Sequence, residues 1–138
     1  MSSTGRQVFN PESLPSLHPS YSHISVTPLQ PTSKLITIAG QVALDASTNT
    51  IPSSFGDQVE LALANVKTCL DAAGAKITDI INVRQYIVNI TEHDYATRVA
   101  LYGKFMDGHK PPNTLVGVQG LAKKEFLFEI EVMAVLSS

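Results

Sequence analysis

The sequence has 138 residues, a formal net charge of −2, and 43% hydrophobic against 16% charged residues. That balance fits one ordered domain with a sizeable core and excludes an unstructured chain. It also lacks an 18-residue apolar run that would cross a membrane and the concentrated basic face that a nucleic-acid partner needs. The first twenty residues hold neither an apolar secretory stretch nor an Arg-rich amphipathic one, so a cytoplasmic location is expected. The single cysteine, Cys69, can close no internal disulfide and build no zinc site, and it reads as a small buried hydrophobe.

Residues 1–18, with Pro11, Pro15 and several serines, read as an extended lead-in to a single domain covering 1–138. Residues 21–29 alternate and predict a strand, at an edge because of Pro28. A turn at Pro31 precedes a β-branched strand over 35–40. Residues 44–56 are polar and form a loop. Ser54 with Asp57 resembles a capping box, and Val59, Leu63, Val66, Leu70 and Ala73 then recur at helical spacing. Gly74 falls where a helix C-cap belongs.

A long strand is predicted over 80–89. Thr91 with Asp94 resembles a second capping box, followed by an apolar stripe of Tyr95, Val99, Tyr102 and Phe105 or Met106. Gly108 ends that helix, and Pro111-Pro112 make a rigid turn. Strands follow over 114–118 and 126–135. The order β-β-α-β-α-β-β, with a hairpin-like first pair of strands and a final pair, predicts an α+β fold, a mixed sheet with both helices on one face. On the last strand Phe128, Ile130, Val132 and Ala134 alternate with Glu129, Glu131, Met133 and Val135, so neither side is fully polar. A sheet apolar on both sides buries both, and self-association is the economical way to do it.

Six segments, in order, resemble the RidA/YjgF (L-PSP) family. They are PSYSH at 19–23, AGQVALD at 39–45, the helix over 58–74, DIINVRQYIV at 79–88, KPPNTLVGV at 110–118 and EIEVMA at 129–134. Together they span roughly residues 11–136. The resemblance implies a chorismate-mutase-like fold and a homotrimer with a central barrel and three inter-subunit clefts. It implies hydrolysis of small enamines and imines, such as 2-aminoacrylate, to keto acids and ammonia, with no metal and no organic cofactor. Some relatives carry ribonuclease or translation-inhibitor labels.

The resemblance also places the candidate site. Glu129 matches the glutamate that works through the catalytic water; the alternative is an ion pair. Asn113 stands where deaminating members keep an arginine that clamps the substrate carboxylate, and an amide cannot supply a guanidinium fork. Weak turnover of small 2-imino acids is therefore expected. Thr114 matches a cleft hydroxyl position, Tyr21 a cleft tyrosine, and Gly40 a backbone N–H close to the ligand; each has strand or core packing as its alternative. Arg84, in the middle of an apolar strand, is a candidate replacement cation or else a structural ion-pair partner. Glu131 follows Glu129 on the same face, and His23 lies near the Tyr21 element. The functional expectation is a Rid-type catalyst for, or binder of, a small imine-like or reactive carbonyl metabolite in inter-subunit clefts. The alternatives are a non-catalytic trimeric binding or interaction module and, third, a ribonuclease or translation inhibitor.

Overall fold

The computed structural model describes residues 5–16 and 18–137. Two short strands, β1 (Gln7–Phe9) and β2 (Ile24–Val26), pair antiparallel in a ribbon of their own. Arg6 fastens this ribbon to the body of the domain. Its Nη2 donates to the Val135 carbonyl at 2.8 Å, and its Nε donates to Thr27 Oγ1 at 3.2 Å. Asp79 lies 3.8 Å from Nη1.

β3 (Lys34–Val42) leads through the loop into α1 (Phe55–Ala72). The Ser54 side chain caps α1 by accepting from the Asp57 N–H at 3.2 Å. The repeat seen in the sequence turns Val59, Ala62, Leu63, Val66 and Leu70 onto the sheet, all buried. Gly74 leaves the helix with φ +76°, a left-handed conformation that glycine adopts without strain.

β4 (Ile80–Val88) ends at Asn89, itself left-handed with φ 54°. A short turn at Ile90–Glu92 follows, and then α2 (Tyr95–Met106). α2 carries the chain back so that β5 (Asn113–Val118) runs parallel to β4. β6 (Phe128–Leu136) inserts between β3 and β4, antiparallel to both, giving the order β3-β6-β4-β5. Phe128, Ile130, Val132 and Ala134 of β6 and Val83 and Ile87 of β4 join the α1 side chains in one core. Both helices contribute to that core, and the α+β mixed sheet expected from the sequence is present.

One buried polar group ties the two loops at the start of the core together. Gln58 is fully buried; its Nε2 donates to the Pro52 and Glu125 carbonyls, each at 2.8 Å. Its Oε1 accepts from the Leu127 N–H at 2.8 Å. This amide therefore holds Leu127, the residue before β6 begins and two before Glu129.

Several expectations need correction. The strand predicted over 21–29 is only three residues long and pairs with β1, inside the supposed lead-in, not with β3. Pro28 offers no N–H to continue it. β5 and β6 do not form a terminal pair, because β4 lies between them. The N-cap of α2 is Asp94, not Thr91. Asp94 accepts from the Ala96 N–H at 3.1 Å and the Thr97 hydroxyl at 2.5 Å, while Thr91 sits within the preceding turn.

Candidate functional site

The candidate residues divide between the two faces of the sheet. On the face away from the helices lie Glu129, Glu131, Arg84 and Thr114. Register sets Arg84 opposite both Glu131 and Thr114, and Tyr86 opposite Glu129. The Tyr86 hydroxyl donates a hydrogen bond to Glu131 Oε1. That bond, with burial, raises the Tyr86 pKa, while the Arg84 guanidinium pulls it the other way. Among the described residues no hydrogen bond holds the Glu129 carboxylate. Burial pushes its pKa above the ordinary glutamate value, and the charge of Glu131 adds to the effect.

Gly40 belongs to this face for a reason alternation does not give. Ile38 pairs with Val132 and Gln41 with Ile130, so β3 carries one extra residue between them. Such a bulge flips the facing of the residues after it. Gly40, in phase with core residues Ile36 and Ile38 by simple alternation, comes to lie under Glu129. A Cβ on Gly40 would sit 2.1 Å from Glu129 Oε2 and 2.6 Å from its Cδ. Only glycine leaves the carboxylate room there.

Asn113 and Tyr21 lie elsewhere. Asn113 opens β5 on the helix side, and with Tyr21 it lines a recess of about 350 Å³. The fully buried Gln85 donates from Nε2 to Asn113 Oδ1 at 3.0 Å and accepts at Oε1 from Arg98 Nη1 at 3.4 Å. Arg98, on α2, is 7% exposed and lies 5.3 Å from the centroid of the Tyr95 ring. Burial pulls its pKa below the usual arginine value. His18 also lines the recess; its ring stacks on Tyr21 at a centroid distance of 6.4 Å and meets Tyr95 edge-on. His23 meets Tyr21 edge-on, its Nε2 3.2 Å from the Pro15 carbonyl.

The structure thus brings Glu129, Gly40, Arg84 and Thr114 to one face and Asn113 and Tyr21 to the other. Arg84 is exposed and does not reach the Asn113 recess. Arg98 and Tyr86 escaped the sequence reading. The signal for Arg98 was there: it lies three residues after Tyr95 and four before Tyr102, on the buried stripe of the helix. Among the described residues no cluster of three or more His, Cys, Asp or Glu could hold a metal ion. No described helix is long and apolar enough to cross a membrane.

A four-stranded mixed sheet backed by two helices makes this a small α+β protein. The sequence model described as Endoribonuclease L-PSP matches residues 12–136, and the chain belongs to this RidA/YjgF/L-PSP family. It is 32% identical over 104 residues to the 2-iminobutanoate/2-iminopropanoate deaminase of Escherichia coli K12, covering 73% of this chain and 79% of that one. YyfB from Yersinia pestis, a Rid protein of unknown function, superposes with a TM-score of 0.80 at 36% identity. That match covers 96% of this chain and 99% of YyfB. Escherichia coli TdcF with bound serine gives 0.69 at 31% identity, over 87% of this chain and 96% of that one.

Proposed function

We propose that this protein hydrolyses a small imine or enamine in clefts formed between the subunits of a homotrimer, with Glu129 as the group that moves the proton. The observation that carries this reading is the Glu129 carboxylate, held over Gly40, free of hydrogen bonds among the described residues and with its pKa raised. A raised pKa brings a carboxyl closer to the working pH, where it exchanges protons best. An enamine first takes a proton at carbon to become the protonated imine. Ionised Glu129 takes a proton from water as the oxygen attacks the carbon of that protonated imine, giving a carbinolamine. It returns the proton to nitrogen, and as the hydroxyl loses its own proton to solvent the C–N bond breaks, leaving a carbonyl compound and ammonia. The E. coli deaminase named above supports the reaction class.

Assembly enters because Glu129 and the Asn113 recess are on opposite faces of one sheet. A ligand touching both needs a second copy of the chain. The open face also exposes Leu35 at 61% and Val116 at 40%, apolar surface that a neighbouring sheet would cover. Without an arginine at position 113, a carboxylate-bearing substrate must find its countercharge elsewhere.

The test is release of ammonia from enzymatically generated 2-aminoacrylate and 2-iminobutanoate, above the spontaneous rate, by wild type and Glu129→Gln. Loss of a positioned acid–base group lowers the rate by about 10²–10⁴-fold. Equal rates for the two proteins, both above the spontaneous one, remove Glu129 from the mechanism; no turnover by either replaces the enzyme with a non-catalytic binding module. Sedimentation equilibrium checks the trimer; a monomer at micromolar concentration removes the inter-subunit cleft.

A further inference from the structure

The recess behind β5 contains a cation with no anion beside it among the described residues. Arg98 is 7% exposed, yet the ion pairs among the described residues are Arg6–Asp79 and Lys67–Asp71, and neither involves it. Its one described side-chain hydrogen bond, to Gln85 Oε1, is 3.4 Å long, near the limit for such a bond. A guanidinium carries five N–H donors, so most of its capacity is unused. The unused donors are not among the buried unpaired atoms, so they open onto the recess, and a cation this desolvated gains from an anion that reaches it.

The other polar groups around the recess are set to donate as well. Gln85 spends its own N–H on Asn113 Oδ1, which leaves the Asn113 amide its NH₂ end. The Ser20 N–H donates to His18 Nδ1 at 3.1 Å. That nitrogen is therefore an acceptor, and the neutral ring carries its proton on Nε2, which has no partner among the described residues. No acidic side chain lines the recess. Donors without an acid make an anion site. The rings of Tyr21 and Tyr95 and the side chain of Leu115 supply apolar wall for a short carbon skeleton.

We propose that Arg98, aimed by Gln85 and assisted by Asn113, binds the carboxylate of a small 2-oxo or 2-imino acid in this recess. A planar carboxylate matches the guanidinium fork bidentately. A bare phosphate ion would use the charge and waste the apolar wall. This inference rests on the hydrolase reading only for the identity of the acid; the anion site stands on its own geometry. It also relocates the expectation of weak 2-imino acid turnover, which then describes a protein without Arg98 and not the native chain.

Calorimetric titration tests it with three probes: 2-oxobutanoate, its methyl ester and inorganic phosphate. Wild type is expected to bind 2-oxobutanoate at least tenfold tighter than either of the others. Arg98→Gln is expected to bind acid and ester alike. An undiminished preference in Arg98→Gln overturns the proposal, as does phosphate binding as tightly as 2-oxobutanoate. Should Arg98→Gln fail to fold, Asn113→Asp decides. It places a carboxylate inside the recess, so it is expected to raise Tm and abolish 2-oxobutanoate binding. A lower Tm with binding retained overturns the proposal.

Glu129→Gln separates the two readings. If it stops turnover and leaves the tenfold preference intact, both stand. If turnover ignores Glu129 while the preference still depends on Arg98, the role of Glu129 falls and the anion site remains; if wild type shows no turnover, the hydrolase falls and the anion site still remains.

Discussion

Gly40→Ala separates the working position of Glu129 from the stability of the fold. The new methyl would begin 2.1 Å from Glu129 Oε2, 2.6 Å from Cδ and 2.9 Å from Cγ, all well inside ordinary contact distance. Glu129 therefore has to swing away, and it has no hydrogen bond among the described residues to lose. Displacing the side chain to a poorer rotamer costs about 0.5–1.5 kcal/mol. Gly40 is not among the glycines with positive φ, so alanine fits its backbone and restricts the unfolded chain, contributing about 0.4–1 kcal/mol of stability. The two nearly cancel, and Tm should move by no more than about 5 °C. Ammonia release should nevertheless fall about 10²–10⁴-fold, as for Glu129→Gln. The double variant should be no slower than either single one, because both remove the same group. Thermal melting and the coupled ammonia assay on the four proteins are sufficient. A Gly40→Ala protein within threefold of wild type, beside an inactive Glu129→Gln, would falsify the idea that the carboxylate works from above Gly40.

Three further outcomes follow from the structure. Glu129 must be ionised to accept a proton, so the rate falls as pH drops through its raised pKa. Glu131→Gln removes the charge that opposes ionisation, so the acid limb of kcat/KM should move to lower pH; no movement, or a rise, refutes the coupling. Gln58→Leu strips three buried hydrogen bonds and should cost about 3 kcal/mol, read as a Tm lowered by about 10 °C. A loss below about 1 kcal/mol would mean that the loops do not depend on that amide. Asp94→Ala removes the cap of α2 and should cost about 1 kcal/mol by urea denaturation, while Thr91→Ala should be close to neutral.

What the sequence disclosed was whatever lies within one helical turn or one strand. Ser54 and Gly74 bracket α1 because caps are local chemistry, and the alternation of β6 correctly split Glu129 from Ile130. Pairing was less legible. β6 meets β3 some ninety residues away, and nothing in either strand names its partner. The bulge at Gly40 was invisible for the same reason, since an extra residue exists only relative to β6. Asp94 rather than Thr91 caps α2 because Asn89 adopts a left-handed turn that uses up residues 90–92 first. Arg98 was overlooked because an apolar stripe invites attention to its apolar members, and a lone arginine within it reads as noise until Gln85 and Asn113 stand beside it.

The central place of β6 bears on how the molecule is made. While a ribosome is still translating residues 128–136, β3 and β4 lack the strand that joins them, and the apolar faces of α1 and β4 have no lasting cover. Native pairing must therefore wait until these residues are made, leaving the nascent chain dependent on transient protection until then. A stalled or truncated product that stops before residue 128 should be an aggregating or degraded polypeptide rather than a smaller working one.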